Sequence, residues 1–368
     1  MAYYLRYFLV LLTLTAMGCP SPATLPALSE GEAAPRNVIL LIGDGMGIAQ
    51  ITASMYHEGK PLSIERFPVT GIQQVHSADN LVTDSAAGAT AFATGSKTNN
   101  SALGLNERLE SVPTILEMAE QRGLATGLVT TAPIVHATPA AFFAHVPLRG
   151  QYEDIAVQLT QSGVDFFVGG GMKYFNQRSQ DQNDLIEIMQ RSGYLISSVY
   201  EQPFATLQPN FNQKFGYFTA MENPPAFSAG RDYLPFASRT ATRFLERASD
   251  KGFFLMIEGA QIDWGGHKQD FDYLLSELND FDLAVREVLK FAVKNKETLV
   301  IVTGDHETGG LAIQPGSTQD SLIAAFATDY HTATMIPVFA FGPGAGYFRG
   351  MYDNTDIFHR MVRALGWQ

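Results

Sequence analysis

Acidic and imidazole side chains recur in short glycine-rich stretches of this 368-residue chain. "NVILLIGDG" holds Asp44, "EGAQIDWGGH" holds Glu258, Asp263 and His267, and "GDHETGG" holds adjacent Asp305 and His306. "DYHTATMIPVFAFGPG" sets His331 just ahead of an apolar run. Oxygen and imidazole donors without cysteine are a ligand set for zinc and magnesium rather than for a structural cysteine-rich site. Glycine stands beside nearly all of them, as it should where backbone comes close to an ion or ligand. Singly, each aspartate has an ordinary alternative as a turn residue or helix cap at a strand end. A further stretch, "VTDSAAGATAFATGSK" (82–97), puts Asp84 and Ser85 in front of residues with almost no bulk. Asp or Ser there can simply cap a helix whose alanines and glycines pack closely. The rest of the chain has to decide.

Elements that position these groups are readable from apolar runs. "NVILLIG" (37–43), "ATGLVTT" (125–131), "FFLMIEG" (253–259) and "TLVIVTGD" (298–305) read as buried parallel strands. Helical patterns lie near 47–57, at 114–123 with a glycine C-cap, and over 270–295. Strands alternating with helices predict a single α/β domain with a large, mostly parallel central sheet flanked by helices on both faces. Residues 199–235, aromatic and proline-rich without a period, read as a small irregular insertion over one edge. In open sheets of this kind ligands sit beyond the carboxyl ends of the strands. Asp44, Asp263 and Asp305 each follow the end of an apolar strand, so three separate strands deliver carboxylates to one edge.

"DGMG" at 44–47, "DSAAGATAFATG" at 84–95, "HATPAAFFAH" at 136–145, "EGAQIDWGGH" and "GDHETGG" resemble the signature blocks of alkaline phosphatases, in that family's order and across nearly all of the chain after residue 35. The resemblance implies hydrolysis of phosphate monoesters to alcohol and inorganic phosphate, best at alkaline pH, with Ser85 as a nucleophile that becomes a covalent phosphoserine. Asp263, His267 and His331 match the ligands of one zinc ion. Asp44, Asp305 and His306 match those of a second, which also takes the Ser85 oxygen. Asp44 bridges to a third site, usually magnesium, whose other ligands match Thr138 and Glu258. Arg149, in "HVPLRGQYED", falls where the family has its phosphate-binding arginine, and Asp84 would orient it. On this reading the small residues after Ser85 clear space for the phosphate, and backbone N–H groups at the helix start point at it.

Formal charges agree with that assignment. Three dications and Arg149, set against four carboxylates and a Ser85 alkoxide, leave a pocket near about +2, which balances a dianionic monoester. Two positions depart from the commonest family pattern. His136 stands where some members carry aspartate, which removes a negative charge beside the third site and leaves magnesium or a third zinc as its ion. Trp264 stands where lysine or histidine is common beside Asp263, so phosphate is expected to be held less tightly; simple packing beside the site is the plain alternative. His57, His76, His145 and His359 read as structural or surface residues. The competing readings are a phosphodiesterase or sulfatase of the same superfamily, or a phosphate- or metal-binding protein without activity. Sulfatases need a Cys/Ser-x-Pro-x-Arg block, whereas "AAGA" follows Ser85, and diesterases generally lack the third-site ligands and the arginine.

Composition bounds the rest. A net charge of −12 argues against a nucleic-acid surface. "MAYYLRYFLVLLTLTAMGCP" has the early Arg6 and short apolar run of an export signal, too short for a spanning helix. Cys19 is the single cysteine, which excludes an intramolecular disulfide. Its place after the apolar run resembles a bacterial lipoprotein box; ordinary signal cleavage is the alternative. The expected layout is therefore a signal over 1–19, a proline-rich tether over 20–35 and a catalytic domain over 36–368. The product would be periplasmic or membrane-anchored as a lipoprotein. Family members are commonly dimers, but this chain is short for the family, so homodimer and monomer both stand as readings.

Overall fold

The computed structural model describes residues 34–367 apart from 60, 208 and 320. The signal segment, Cys19 and nearly all of the tether lie outside the described residues. Fourteen strands appear in chain order: β1 Asn37–Gly43, β2 Val69–Gln74, β3 Ala125–Pro133, β4 Phe166–Gly170, β5 Leu195–Ser198, β6 Phe215–Phe218 and β7 Phe253–Gly259. They continue with β8 Thr298–Thr303, β9 Glu307–Thr308, β10 Ala312–Ile313, β11 Ala324–Ala325, β12 His331–Thr332, β13 Ile336–Phe341 and β14 Gly350–Asp353. Ten of them form one sheet in the order β14-β2-β13-β8-β1-β7-β3-β4-β6-β5. Among the described residues only β13 runs against the other strands of that sheet. The expected mostly parallel sheet is what the chain forms.

Every residue of β1 is buried, because both faces of the sheet are covered. Val38, Leu40 and Ile42 point into one core; Ile39 and Leu41 point into the other, as the twofold period of a strand requires. The first core is closed by helices Ser85–Thr94, Ile115–Arg122, Tyr152–Gln161 and Thr355–Ala364, the second by Ile48–Glu58, Leu234–Ala248 and Phe271–Asn295. The last of these buries Leu274, Leu278, Phe281, Val285, Val288 and Ala292, a stripe at helical spacing.

The run 199–235 does more than cover an edge. It contributes β6, which is inserted between β4 and β5. Four residues, "FGYF", are too few to show an alternating pattern. The strand forms because Gly216 lets the Phe167 ring lie against the backbone; a Cβ there would stand 2.2 Å from that ring. Its other described residues, up to the helix Leu234–Ala248, are turns, bends and short 3-10 segments, with Arg231 anchoring them. Arg231, almost wholly buried, reaches Glu277 at 2.5 Å and Asp280 at 2.7 Å on the long helix Phe271–Asn295. Glu277 also accepts the Phe227 N–H.

Within the sheet, β8, β1, β7 and β3 are consecutive neighbours, and their register brings Ile42 level with both Thr303 and Glu258. Their carboxyl ends therefore finish in one line. No helix of the described residues is long and apolar enough to cross a membrane.

Two outcomes are expected from this packing. Arg231→Ala strands two buried carboxylates and should lower unfolding stability by about 3–5 kcal/mol in a urea titration; a loss under about 1 kcal/mol would contradict the anchor. Glu120 is half-buried against Thr126, and burial, with Asp165 nearby, pushes its carboxyl up to about 7. A carboxyl raised on folding contributes stability at low pH that is lost as pH rises from the ordinary carboxyl range through about 7. Glu120→Gln should therefore stabilise the protein at pH 8, by about 1 kcal/mol given its partial exposure, and leave it little changed at pH 4. Equal effects at both pH values would refute this.

Candidate active site

Asp44 follows β1 directly and is fully buried, with neither carboxylate oxygen hydrogen-bonded. Burial, then the nearby Asp305, Asp263 and Glu258 carboxylates, raise its pKa well above the usual range. Gly45 makes the turn possible: its φ is +75°, and a Cβ there would lie 2.7 Å from the Asp263 Cα. Asp305 follows β8. Its Oδ1 accepts the Gly45 N–H at 3.2 Å, while its buried Oδ2 has no hydrogen-bond partner. Burial and Asp263 push its carboxyl up to about 6. Glu258, near the end of β7, accepts the Thr130 hydroxyl on one oxygen and leaves the other unpartnered; burial raises it to about 7.

Asp263 sits on the short helix Gln261–His267, with His267 one turn later. Oδ2 is 3.3 Å from His267 Nε2 and Oδ1 is 3.5 Å from His331 Nε2. Burial works against ionisation, but the hydrogen bonds from His267 and His331 hold Asp263 well below the usual range. Both imidazoles turn Nδ1 toward a backbone carbonyl, His267 to Asp329 at 2.7 Å and His331 to Thr83 at 2.8 Å. That commits each Nδ1 to the backbone, so a cation replacing the Nε2 protons that face Asp263 would meet both lone pairs. The two Nε2 atoms lie only 3.2 Å apart, a spacing that asks for a positive charge between them. His306 stacks on His331 at 3.5 Å, and its Nε2 is 3.3 Å from Ser85 Oγ, 3.3 Å from Asp305 Oδ2 and 3.5 Å from Asp44 Oδ1.

Ser85 is the first residue of a wholly buried ten-residue helix. Asp84 is its N-cap, so the capping interpretation is correct for Asp84: Oδ1 accepts the Ala87 N–H at 3.0 Å. Oδ2 accepts from the Ser101 N–H at 3.1 Å and from Arg149 Nη1 at 3.0 Å. Ser85 itself caps nothing, and its hydroxyl faces the imidazole of His306. The helix approaches closely because Gly88 has no side chain; a Cβ there would stand 3.1 Å from Asp305 Cβ.

Three groups of these residues place one donor atom each within 4.8 Å of one another: Asp263, His267 and His331; Asp44, Asp263 and His306; Asp44, His136 and Glu258. The structure thus brings together nearly all the residues singled out in the sequence, with two shifts of emphasis. Asp263 is shared between two groups, with Asp305 alongside. His136, read as a neighbour of the third site, lies within direct ligand reach of it. Burial and then the Arg149 charge lower His136 to about 3. Thr138 is buried beside this group with its hydroxyl unpartnered. Trp264 is half-buried, its ring edge-on to His136 at 6.3 Å. Thr308, in "GDHETGG", has no role readable from the sequence; its hydroxyl donates to Asp263 Oδ1 at 2.5 Å and lies 3.2 Å from His306 Nδ1. Its place two residues after His306, in an extended stretch, was the available signal.

Whether cations fit can be judged from the polar atoms. Buried oxygens of Asp44, Asp305, Glu258 and Thr138, and Nδ1 of His136, have no hydrogen-bond partner. Buried polar atoms are normally satisfied, and several unsatisfied carboxylate oxygens turned to one point suit divalent cations. Oxygen and imidazole donors without thiolate match zinc and magnesium.

The alkaline phosphatase family pattern matches residues 35–326. Alkaline phosphatase 3 of Bacillus subtilis is 37% identical, covering 90% of this chain and 89% of its own. The Escherichia coli K12 alkaline phosphatase is 34% identical over 95% of this chain and 89% of its own. The solved alkaline phosphatase of the Antarctic bacterium TAB5 is 41% identical, covers 91% of this chain and 100% of its own, and superposes with a TM-score of 0.86. Histidine-to-glutamate and histidine-to-aspartate variants of that enzyme have been solved with magnesium in a site named M3. With its signature blocks folded into one carboxylate–imidazole cluster around Ser85, the chain belongs to the alkaline phosphatase family.

Proposed function

We propose that this protein hydrolyses phosphate monoesters to the alcohol and inorganic phosphate through a covalent phosphoserine on Ser85. The observation that carries the reading is the Ser85 hydroxyl 3.3 Å from His306 Nε2, at the rim of a cluster of unpartnered buried carboxylate oxygens. Asp263, His267 and His331 would hold one zinc ion; Asp44, Asp305 and His306, with Ser85 Oγ, a second; Asp44, Glu258, Thr138 and His136 a third ion, magnesium or zinc. Bound there, the cations lower the pKa of a serine hydroxyl or a water and offset charge on the departing oxygen.

The chain's own residues do the rest. Arg149 presents a planar fork suited to two non-bridging phosphate oxygens, and Asp84 holds that fork in place while capping the Ser85 helix. Ser85 Oγ gives up its proton to solvent and bonds to phosphorus as the bond to the substrate oxygen breaks, and that oxygen takes up a proton to leave as the alcohol. Water then attacks the phosphoserine, the Ser85–phosphorus bond breaks, and the serine regains a proton. Arg149 is partly exposed, so a small monoester could reach it from solvent. Trp264, at the rim, adds no charge to the phosphate, which supports weaker product retention.

The export signal over 1–19, the tether over 20–35, lipid attachment at Cys19, a periplasmic or anchored location and a homodimer belong to the same reading. The first four rest on the sequence pattern "MAYYLRYFLVLLTLTAMGCPSPATLPALSEGEAAP" and the last on the habit of the family.

Metal-loaded protein should turn over a phosphate monoester at least about a hundredfold faster than a diester or a sulfate ester, and Ser85→Ala should cut monoester turnover by about a thousandfold or more. A substantially unchanged rate in Ser85→Ala, or preference for the diester or sulfate, sinks the assignment. His136→Asp adds a carboxylate to the Asp44–Glu258 group and should tighten magnesium binding by about tenfold, read by calorimetry on zinc-loaded protein. Unchanged affinity would remove His136 from the third site.

A further inference from the structure

β9 is two residues long, and its side chains face opposite ways. Thr308 faces Asp263 and His306. Glu307 faces away from them, is 3% exposed, and accepts a hydrogen bond from each of four donors. Its Oε1 takes Gln50 Nε2 at 2.6 Å and the Leu311 N–H at 3.1 Å. Its Oε2 takes the Gly310 N–H at 3.2 Å and the Thr332 hydroxyl at 2.5 Å. Gln50 also donates to the Thr308 carbonyl at 2.8 Å. The backbone leaves room for this side chain at Gly47, where a Cβ would stand 2.4 Å from Glu307 Cγ.

These partners lie on three segments that carry ligands. Gln50 belongs to the helix that follows Asp44. Gly310 and Leu311 close the loop that follows His306. Thr332 is the neighbour of His331 and pairs with Glu307 across β9 and β12, as His331 pairs with Thr308. The last two are short excursions from the sheet, and β9–β12 is only a two-residue ladder, too small to be stable alone. Without a shared anchor, nothing in the ladder itself would hold the His306 and His331 rings stacked at 3.5 Å.

We propose that Glu307 is a positioning residue that locks His306 and His331 against each other and against the Asp44 segment, and so sets the affinity of the site for its ions. This rests on the reading of those residues as metal ligands. The chemistry requires a carboxylate. Both oxygens accept two donors each, so Glu307→Gln keeps the volume but sets an NH2 group against two donors, whichever way the amide turns.

The test uses the whole protein, stripped with a chelator and titrated with Zn2+ against a competing chelator, alongside the thermal midpoint of the metal-free form. Glu307→Gln should bind zinc about 10–100-fold more weakly, and excess Zn2+ should restore monoester turnover. Thr332→Val removes one of the four donors and should weaken zinc binding by about threefold to tenfold. Parental zinc affinity in both variants overturns the proposal, even if the metal-free midpoint falls, since Glu307 would then serve folding only. If Glu307→Gln does not fold, Thr332→Val decides by the same criterion. A parent protein that takes up no zinc overturns the underlying metal reading, and with it this proposal, and is recognisable as such before any variant is made.

Discussion

Carboxylates that repel one another are buried together at one edge of the sheet, and the rest of the structure is arranged around that repulsion. Asp44, Glu258 and Asp305 sit at or just beyond the ends of three adjacent strands, and each is pushed toward its neutral form by burial and by its acidic neighbours. Asp263 is the exception, since two imidazoles face it and favour its charge. A fold that assembles such a cluster against its own electrostatics favours cations strongly. The Arg149 guanidinium, already committed to Asp84, does not neutralise it.

Parallel strand ends are well suited to this strain. Backbone hydrogen bonds along β8, β1 and β7 fix where each strand stops, so the carboxylates cannot drift apart to relieve their repulsion. The imidazoles are held less directly. His267 and His331 are aimed by single backbone carbonyls, and their segments are short excursions from the sheet whose geometry depends on side-chain anchors. The rigid part of the site thus supplies oxygen donors, and its more adjustable part supplies nitrogen.

Asp84 shows how closely local folding and the site are joined. One carboxylate caps the Ser85 helix, ties down the Ser101 segment and clamps Arg149. Helix capping and the placement of Arg149 are therefore one structural feature; at "DS", Asp84 is the cap and Ser85 turns its hydroxyl to His306.

Strand runs, the order of the glycine-rich blocks and the residue types of the cluster were legible in the chain itself. Buried parallel strands read as continuous apolar runs, and the acids stand at fixed offsets from their ends. The strand β6 was not legible, because four residues show no period and form a strand only where Phe167 packs over Gly216. Nor was the reach of His136 to Asp44 and Glu258, the sharing of Asp263 between two groups, or the four-donor anchor at Glu307. Such features depend on separations of a few ångströms between residues far apart along the chain. Sequence alone determined which donors exist and which strand end carries each one. Strand order and loop packing decided which donors meet, because sequence spacing constrains distance only within an element and leaves contacts between elements free.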